Sequence, residues 1–254
     1  MLDELIQRFL YYPERIPADA PLPVYARGAR EVFLDAADGN RVHGLVWPAA
    51  PGRPTILFLH GNAQSVFEWA LVREDLADLD CGLFLLDYPG YGKSTGRPTE
   101  ASLYAAGRAA LAWLAGQGVP PARTIVMGKS LGGGVAGEIA QDADLAGVVL
   151  ESTFRSIPHV LSRLLPMIPA GADFKGERYD TASKIGKIRA PVLVVHGTRD
   201  DLIPAEEGTA LYELAHEPRQ LYLVPGAGHN DVAMVAGPEY GRTLRAWLDG
   251  IGKR

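Results

Sequence analysis

Cysteine is nearly absent from this sequence, since Cys81 is the only one among 254 residues. One cysteine cannot form a disulfide within the chain, so the sequence is typical of a reducing compartment, and we expect a cytoplasmic protein. A basic excess is also missing, because Lys and Arg together number 25 and Asp and Glu number 30. The net charge of −5 argues against a general nucleic-acid-binding protein.

Long apolar runs are missing as well, and no stretch approaches the roughly 20 apolar residues of a membrane-spanning helix. Asp3 and Glu4 stand where a secretion signal would have Lys or Arg. Residues 1–23 nevertheless form an amphipathic segment, because apolar side chains recur there at helical spacing: Leu2, Leu5, Ile6, Phe9 and Leu10. The spacing predicts a short helix packed on the domain, with weak contact to a membrane surface as the alternative.

Apolar residues make up 47% of the chain and charged residues 22%, which is typical of a globular protein. Alternating patterns predict two strands, at 30–35 and 41–47, joined by a tight turn. Six continuous apolar runs of strand length follow, at 55–60, 82–87, 124–128, 146–151, 191–197 and 220–226. Helical patterns separate them, near 65–79, 100–116, 131–141, 205–215 and 236–249. We therefore predict an α/β fold: a mostly parallel eight-stranded sheet with helices on both faces, in a single domain over residues 1–254.

The connection between the strands at 146–151 and 191–197 is unusually long, at about forty residues. Its apolar residues include Ile157, Leu161 and Leu165. Insertions of this kind on the loop side of a parallel sheet are often functional. We predict that residues 154–188 form a short lid or one wall of an apolar pocket.

The stretch VMGKSLGGG, at 126–134, is the main candidate for a functional motif, and several interpretations compete. A phosphate-binding loop needs glycine five positions before its Gly-Lys-Ser, but Arg123 and Asp87 stand at those positions for the two Gly-Lys-Ser sequences. A flexible linker is excluded because apolar strand and helix patterns flank the glycines closely.

A dinucleotide-binding turn is the closer alternative, since Gly132, Gly134 and Gly137 spell G-x-G-x-x-G and Glu151 ends the next strand. The first glycine of that motif should follow its strand directly. Here Gly132 lies one turn into the predicted helix, so the spacing does not fit.

The remaining interpretation is G-x-S-x-G at 128–132, where a strand turns directly into a helix with Ser130 at the bend. Such a bend needs small residues two positions on either side, and it presents the serine hydroxyl at a helix N-terminus. The motif alone is weak in a chain with 29 glycines. It is strengthened by Asp200 and His229, which follow two later strands in the order that serine hydrolases of this fold use.

The chain resembles the α/β-hydrolase-fold serine hydrolases. Within them it is similar to the BEM46-like group, which includes α/β-hydrolase domain-containing proteins 13 and 17, and more loosely to serine aminopeptidases and monoacylglycerol lipases. The stretches that carry the resemblance are LFLHGNAQS (57–65), LLDYPGYGKSTGRPTE (85–100), MGKSLGGG (127–134), VVHGTRDDLIP (194–204) and GAGHND (226–231). Lys129 departs from the group, which often has arginine there.

The resemblance and the order of the motifs imply a catalytic triad. Ser130 would be the nucleophile, His229 the general base and then acid, and Asp200 the residue that orients the histidine, with Asp201 as its rival. The oxyanion hole needs two backbone N–H donors. One is expected from Leu131, and the resemblance places the other at Asn62, with Ala63 as the alternative.

We expect a hydrolase of esters or thioesters with apolar acyl groups, acting on a small or lipid-like substrate without a cofactor. No clustered ligand spacing indicates a metal. The substrate pocket is predicted to involve Ala63, Tyr88, Ile157, Leu161 and Leu165. Two further interpretations stay open: a serine peptidase, and a non-catalytic protein that binds a small ligand in a hydrolase fold. His60, His196 and Asp87 are predicted to be structural.

Overall fold

The computed structural model describes residues 10–164 and 176–251. Ten strands occur within them: β1 (Tyr12–Pro13), β2 (Arg30–Asp35), β3 (Arg41–Trp47), β4 (Thr55–Leu59), β5 (Ala63–Gln64), β6 (Gly82–Leu86), β7 (Thr124–Lys129), β8 (Gly147–Glu151), β9 (Val192–Gly197) and β10 (Arg219–Val224).

Eight of these strands form one sheet in the order β10-β9-β8-β7-β4-β6-β3-β2. The strands from β10 to β6 are all parallel, and β3 pairs antiparallel with both β6 and β2. The predicted mostly parallel eight-stranded sheet is therefore confirmed. Its parallel strands are the continuous apolar runs of the sequence, as expected where a sheet is covered on both faces.

Nine helices lie in the same part of the chain: α1 (Val66–Trp69), α2 (Val72–Asp75), α3 (Glu100–Gly116), α4 (Leu131–Ile139), α5 (Ile157–Leu164), α6 (Ala182–Ile185), α7 (Ala205–Leu214), α8 (Val232–Ala236) and α9 (Pro238–Ile251). Single 3-10 turns occur at Val24–Ala26, Ala77–Leu79 and Pro121–Arg123. No helix among the described residues is both long and apolar enough to cross a bilayer.

Two apolar clusters cover the two faces of the sheet. Along β4, Leu57 and Leu59 belong to one cluster and Ile56 and Phe58 to the other, because successive side chains of a strand point to opposite faces. Helices α3 and α4 complete the first cluster, while α1 and α9 complete the second. Helices on both faces are thus confirmed.

The N-terminal segment can be compared with its prediction only from Leu10 onward. The predicted helical positions from Leu2 to Phe9 lie outside the described residues, and Leu10 is buried in the core. Beyond it the chain is extended, and β1 pairs in parallel with β5 in a separate two-stranded sheet. The two strands are too short to produce an alternating pattern that a sequence analysis would detect.

Two further predicted regions can be compared with the structure. The helical pattern at 65–79 is divided between α1, α2 and a 3-10 turn rather than forming one helix. In the predicted lid, 154–188, the structure places α5 and α6 at the two ends. Residues 165–175, and with them the predicted pocket residue Leu165, lie outside the described residues.

The glycine run after Ser130 is explained by close packing of α4. A Cβ atom at Gly134 would lie 2.8 Å from the ring of Tyr179, and one at Gly137 would lie 2.8 Å from Thr181. A Cβ atom at Gly132 would overlap the carbonyl oxygen of Leu59, at the end of β4. Helix α4 therefore needs its glycines to approach both the sheet and the end of the lid segment.

This packing predicts opposite effects for two glycine-to-alanine changes. In Gly132→Ala the new methyl group meets backbone that cannot rotate away, so we expect a loss of about 1–3 kcal/mol or more in the free energy of unfolding. Gly116→Ala is the matched control, because nothing lies within 4 Å of a Cβ atom there. It should leave stability unchanged or raise it by up to about 1 kcal/mol. Urea denaturation measures both, and equal stabilities would contradict the packing argument.

Candidate active site

The predicted nucleophile, base and acid meet at the carboxyl edge of the parallel strands, where ligands of such sheets usually bind. Ser130 lies between β7 and α4, Asp200 follows β9, and His229 follows β10. Sequence separation hides this proximity, which arises because β7, β8, β9 and β10 are neighbours in the sheet.

Ser130 has a strained backbone, with φ of 53° and ψ of −120°, as expected of a serine at a sharp turn between strand and helix. Its N–H donates to the carbonyl oxygen of Glu151 (2.9 Å), and its own carbonyl oxygen accepts from the hydroxyl of Thr153 (2.7 Å). A Cβ atom at Gly128 would overlap the backbone at Gly132. The turn is therefore held on both sides, and both motif glycines are sterically required.

His229 connects the serine to the carboxylate. Its Nε2 lies 3.0 Å from the Ser130 hydroxyl oxygen, and its Nδ1 lies 2.8 Å from an oxygen of Asp200. Because the carboxylate can only accept, Nδ1 carries the proton and Nε2 accepts from the serine hydroxyl. Asp231 shapes the histidine loop, since its carboxylate accepts from the N–H of Gly228 (2.6 Å).

Asp200 is buried and surrounded by donors. One carboxylate oxygen accepts from the backbone N–H groups of Leu202 (3.0 Å) and Ile203 (2.7 Å), and the other faces His229 and His196. Burial opposes its ionisation, but the hydrogen bonds from the two histidines outweigh burial and hold the pKa of Asp200 well below its usual value. The carboxylate therefore stays ionised at neutral pH. Asp201, the rival candidate, is exposed.

The predicted oxyanion loop lies directly beside Ser130, since a Cβ atom at Gly61 would be 3.6 Å from the Cβ of Ser130. The carbonyl oxygen of Gly61 accepts from Nδ1 of the buried His60 (2.8 Å). Since C=O and N–H of a trans peptide point in opposite directions, the Asn62 N–H points away from His60. Nothing among the described residues accepts from this N–H.

Leu131 offers a second free donor. It is the first residue of α4, and the first N–H groups of a helix have no acceptor within it. The two predicted oxyanion residues, Asn62 and Leu131, therefore both have backbone N–H groups without a hydrogen-bond acceptor among the described residues, as an oxyanion hole requires.

The N-terminal strand β1 holds the loop of Asn62 in place, and the sequence analysis did not predict this contact. The carbonyl oxygen of Asn62 accepts from the N–H of Tyr12 (2.9 Å) and from the hydroxyl of Tyr91 (2.8 Å). The next carbonyl, of Ala63, accepts from the indole N–H of Trp69 (3.1 Å). Backbone bonds of this kind leave no residue pattern, so only Tyr91 in the YPGYG turn could have suggested them.

Ser130 and His229 open onto a cleft of about 830 Å³. Asn62 and Ala63 also line it, together with Trp69. Several charged or polar side chains line it as well: Glu68, Glu74, Asp75, Lys129, Glu151 and Tyr240.

The other predicted pocket residues lie elsewhere. Tyr88 was wrongly assigned to the pocket edge, because its side chain is fully buried and its hydroxyl donates to the carbonyl of His60 (2.9 Å). Ile157 is buried in the core and Leu161 packs partly buried against it; neither lines this cleft. A tyrosine after a strand end has the same sequence pattern whether it points to solvent or into the core.

His60 and Asp87 are structural, as predicted. The carboxylate of Asp87 accepts from the backbone N–H of Val66 (2.9 Å) and pairs with Nδ1 of His43 (2.8 Å), all within the buried interior. Burial lowers the pKa of His60, so this ring stays neutral. His196 is fully buried, and its Nε2 donates to the carbonyl of Ile203 (2.7 Å) beside Asp200.

Comparison with known proteins shows the family to which the chain belongs. Residues 54–173 match the family described as alpha/beta hydrolase fold. The chain is 36% identical over 248 residues to an uncharacterized protein of Mycobacterium tuberculosis, covering 96% of this chain and 85% of that one. It is 35% identical over 241 residues to human alpha/beta hydrolase domain-containing protein 17B, covering 92% of this chain and 81% of the human protein.

Among solved structures, an esterase from Pyrococcus furiosus superimposes with a TM-score of 0.75 at 19% identity, covering 95% of this chain and 98% of that one. At this identity the superposition shows a shared fold. The chain belongs to the α/β-hydrolase family, in the group that includes alpha/beta hydrolase domain-containing protein 17B.

The contacts of the two adjacent aspartates predict a sharp difference between them. Asp200→Asn removes the carboxylate that accepts from His229, so hydrolysis of a nitrophenyl ester should slow by about 10⁴-fold. Asp201→Asn is the control and should stay within about threefold of wild type, because surface changes away from the site have small effects. Steady-state rates at pH 7 test this, and the reverse order would assign the acid to Asp201.

The backbone geometry at Asn62 predicts that its side chain is dispensable. Asn62→Ala keeps the backbone N–H that we predict to be an oxyanion donor, so kcat should remain within about threefold of wild type, whereas losing an oxyanion donor costs about 10²–10³-fold. The measurement is kcat on the same ester. A fall of two orders of magnitude would show that the side-chain amide, rather than the backbone, is the donor.

Proposed function

We propose that this protein is a serine hydrolase that cleaves carboxylic esters or thioesters with apolar acyl groups. The observation that carries the proposal is the continuous hydrogen-bonded chain from Asp200 through His229 to the Ser130 hydroxyl. A serine in such a chain is activated as a nucleophile, because the histidine can accept its proton as the new bond forms.

In the proposed reaction the Ser130 oxygen attacks the acyl carbonyl carbon while Nε2 of His229 takes the hydroxyl proton. The N–H groups of Asn62 and Leu131 donate to the oxyanion. His229 then protonates the leaving alcohol or thiol, which departs and leaves an acyl-serine. Water, deprotonated by His229, attacks this ester and releases the acid, and the proton returns to Ser130.

Asp200 supports both halves of the reaction. It holds the His229 ring in the tautomer that can accept at Nε2, and its charge stabilises the imidazolium that forms. Its low pKa supports this role, because the carboxylate does not take up a proton in the neutral range.

The substrate is proposed to be a small or lipid-like acyl compound. Apolar side chains line part of the cleft, among them Trp69, Leu71 and Val72, which favours an apolar acyl group. Four carboxylate side chains, of Glu68, Glu74, Asp75 and Glu151, line the cleft, against one cationic side chain, that of Lys129. A negative wall disfavours anionic substrates, so we propose that the group in this cleft is neutral or cationic.

The first test is the turnover of nitrophenyl esters from acetyl to palmitoyl by wild type and Ser130→Ala. We expect the variant to be slower by at least about 10³-fold on every ester that wild type hydrolyses. The chain-length optimum of wild type then measures the acyl pocket. Ser183→Ala is the matched control, because Ser183 is exposed and its hydroxyl donates only to the nearby carbonyl of Asp180.

Equal, slow rates for wild type and Ser130→Ala on all esters would contradict the esterase proposal. Cleavage of aminoacyl amides by wild type would then favour the peptidase. Tight binding of a small ligand without turnover would favour a non-catalytic protein.

A further inference from the structure

A second buried polar network lies beside the triad and takes no part in the proposed reaction. Lys129 directly precedes Ser130, and its ammonium group donates to one carboxylate oxygen of Glu151 (2.5 Å). The other oxygen of Glu151 accepts from the hydroxyl of Tyr240 (2.5 Å). All three residues are buried, with only 3% of the Glu151 side chain exposed.

Glu151 holds the turn at Ser130 through both its side chain and its backbone. Its side chain binds Lys129, and its backbone carbonyl accepts from the N–H of Ser130 (2.9 Å). The strands β7 and β8 pair Lys129 with Glu151 in register, so both contacts arise at the last position of the ladder. Glu151, the strand partner of Lys129, therefore also holds the strained residue Ser130.

Tyr240 connects the same carboxylate to the histidine side of the site. It lies in the first turn of α9, and α8 joins that helix to the loop of His229. Tyr240 and Val232 of α8 are buried in the same apolar cluster. Burial and the negative charge of Glu151 raise the pKa of Tyr240 well above its usual value, so its hydroxyl remains a donor.

We propose that Lys129, Glu151 and Tyr240 form a positioning network that holds the Ser130 hydroxyl against Nε2 of His229. The network joins the turn that carries the nucleophile to the helix that follows the base. A hydroxyl displaced from its base by about 1 Å can react about 10²-fold more slowly, so a network that fixes its position has a direct effect on the rate. The inference rests on the proposed function, because it concerns the same nucleophile.

A buried ion pair is weak evidence for stability alone, because removing two charges from water offsets their attraction. Its place directly beside the nucleophile, where the Lys129 ammonium group binds the same residue that holds the Ser130 N–H, fits a positional role. The guanidinium of arginine can make the same contact, so Lys129→Arg is a conservative replacement.

The test compares Lys129→Met with Lys129→Arg in the full-length chain. Lys129→Met should lower kcat on the best nitrophenyl ester by at least about tenfold with KM within about twofold, since positioning affects the chemical step. Lys129→Arg should keep kcat within about threefold of wild type, because arginine can form the same ion pair with Glu151. The rate at which a fluorophosphonate labels Ser130 should follow kcat, because the same hydroxyl attacks phosphorus as fluoride leaves.

A matched control exists elsewhere in the chain. Lys184 lies in a similar Lys–Glu–Tyr arrangement, 2.8 Å from a carboxylate oxygen of Glu138 and 2.9 Å from the hydroxyl of Tyr104. Lys184→Met should lower the melting temperature as Lys129→Met does, but leave kcat and labelling unchanged. Equal losses of kcat in the two variants would show that general destabilisation is the cause, and would overturn the proposal.

Three other results would also overturn the proposal. Folded Lys129→Met could show an unchanged kcat, or it could show a raised KM with an unchanged kcat. The third result is a kcat of Lys129→Arg as low as that of Lys129→Met. If Lys129→Met does not fold, Tyr240→Phe decides, because it removes one hydroxyl. A kcat lowered by about threefold or more supports the network, and an unchanged kcat contradicts it. Failure of the proposed function is a separate result, in which wild type itself neither hydrolyses esters nor labels at Ser130.

Discussion

The close approach of α4 to the end of β4 is the constraint on which the rest of the site depends. The backbone at Gly132 lies against the carbonyl of Leu59, so the chain must leave β7 through a strained turn at Ser130. That turn places the serine directly before α4, where the N–H of Leu131 has no acceptor within the helix. It also brings the loop after β4 beside the serine, because the residue after Leu59 begins that loop.

Maintaining a strained turn requires support from several directions, and the structure supplies it from separate parts of the chain. Glu151 and Thr153, at the end of β8, bind the backbone of Ser130 on both sides. The opposite wall is held by the N-terminal strand, whose Tyr12 N–H binds the carbonyl of Asn62. Strain at a functional residue persists only where its surroundings determine its conformation in this way. The segments that hold the site are therefore as important to its chemistry as the residues that line it.

Much of the fold and of the site follows from local patterns. Continuous apolar runs identified the six parallel strands of the main sheet, because parallel strands buried on both faces carry a strong local signal, and alternating patterns identified β2 and β3. Ser130, Asp200 and His229 could be selected because each follows such a strand, and strands of a parallel sheet end at one edge. The assignment of Tyr88 to the pocket was wrong because the position of this side chain depends on contacts that are distant in the chain. Its burial depends on the packing of His60 and Tyr91 around it, and no local pattern encodes those contacts.

The sequence by itself determined the order of strands and helices, the glycines around Ser130 and the residue types of the triad, since these depend on neighbours along the chain. Only the tertiary structure decided which aspartate faces His229, which N–H groups near Ser130 remain free, and what Lys129 and Tyr240 bind. These are distances between atoms on separate strands and helices. They are set by strand register and by packing across the sheet, which join residues far apart in the chain.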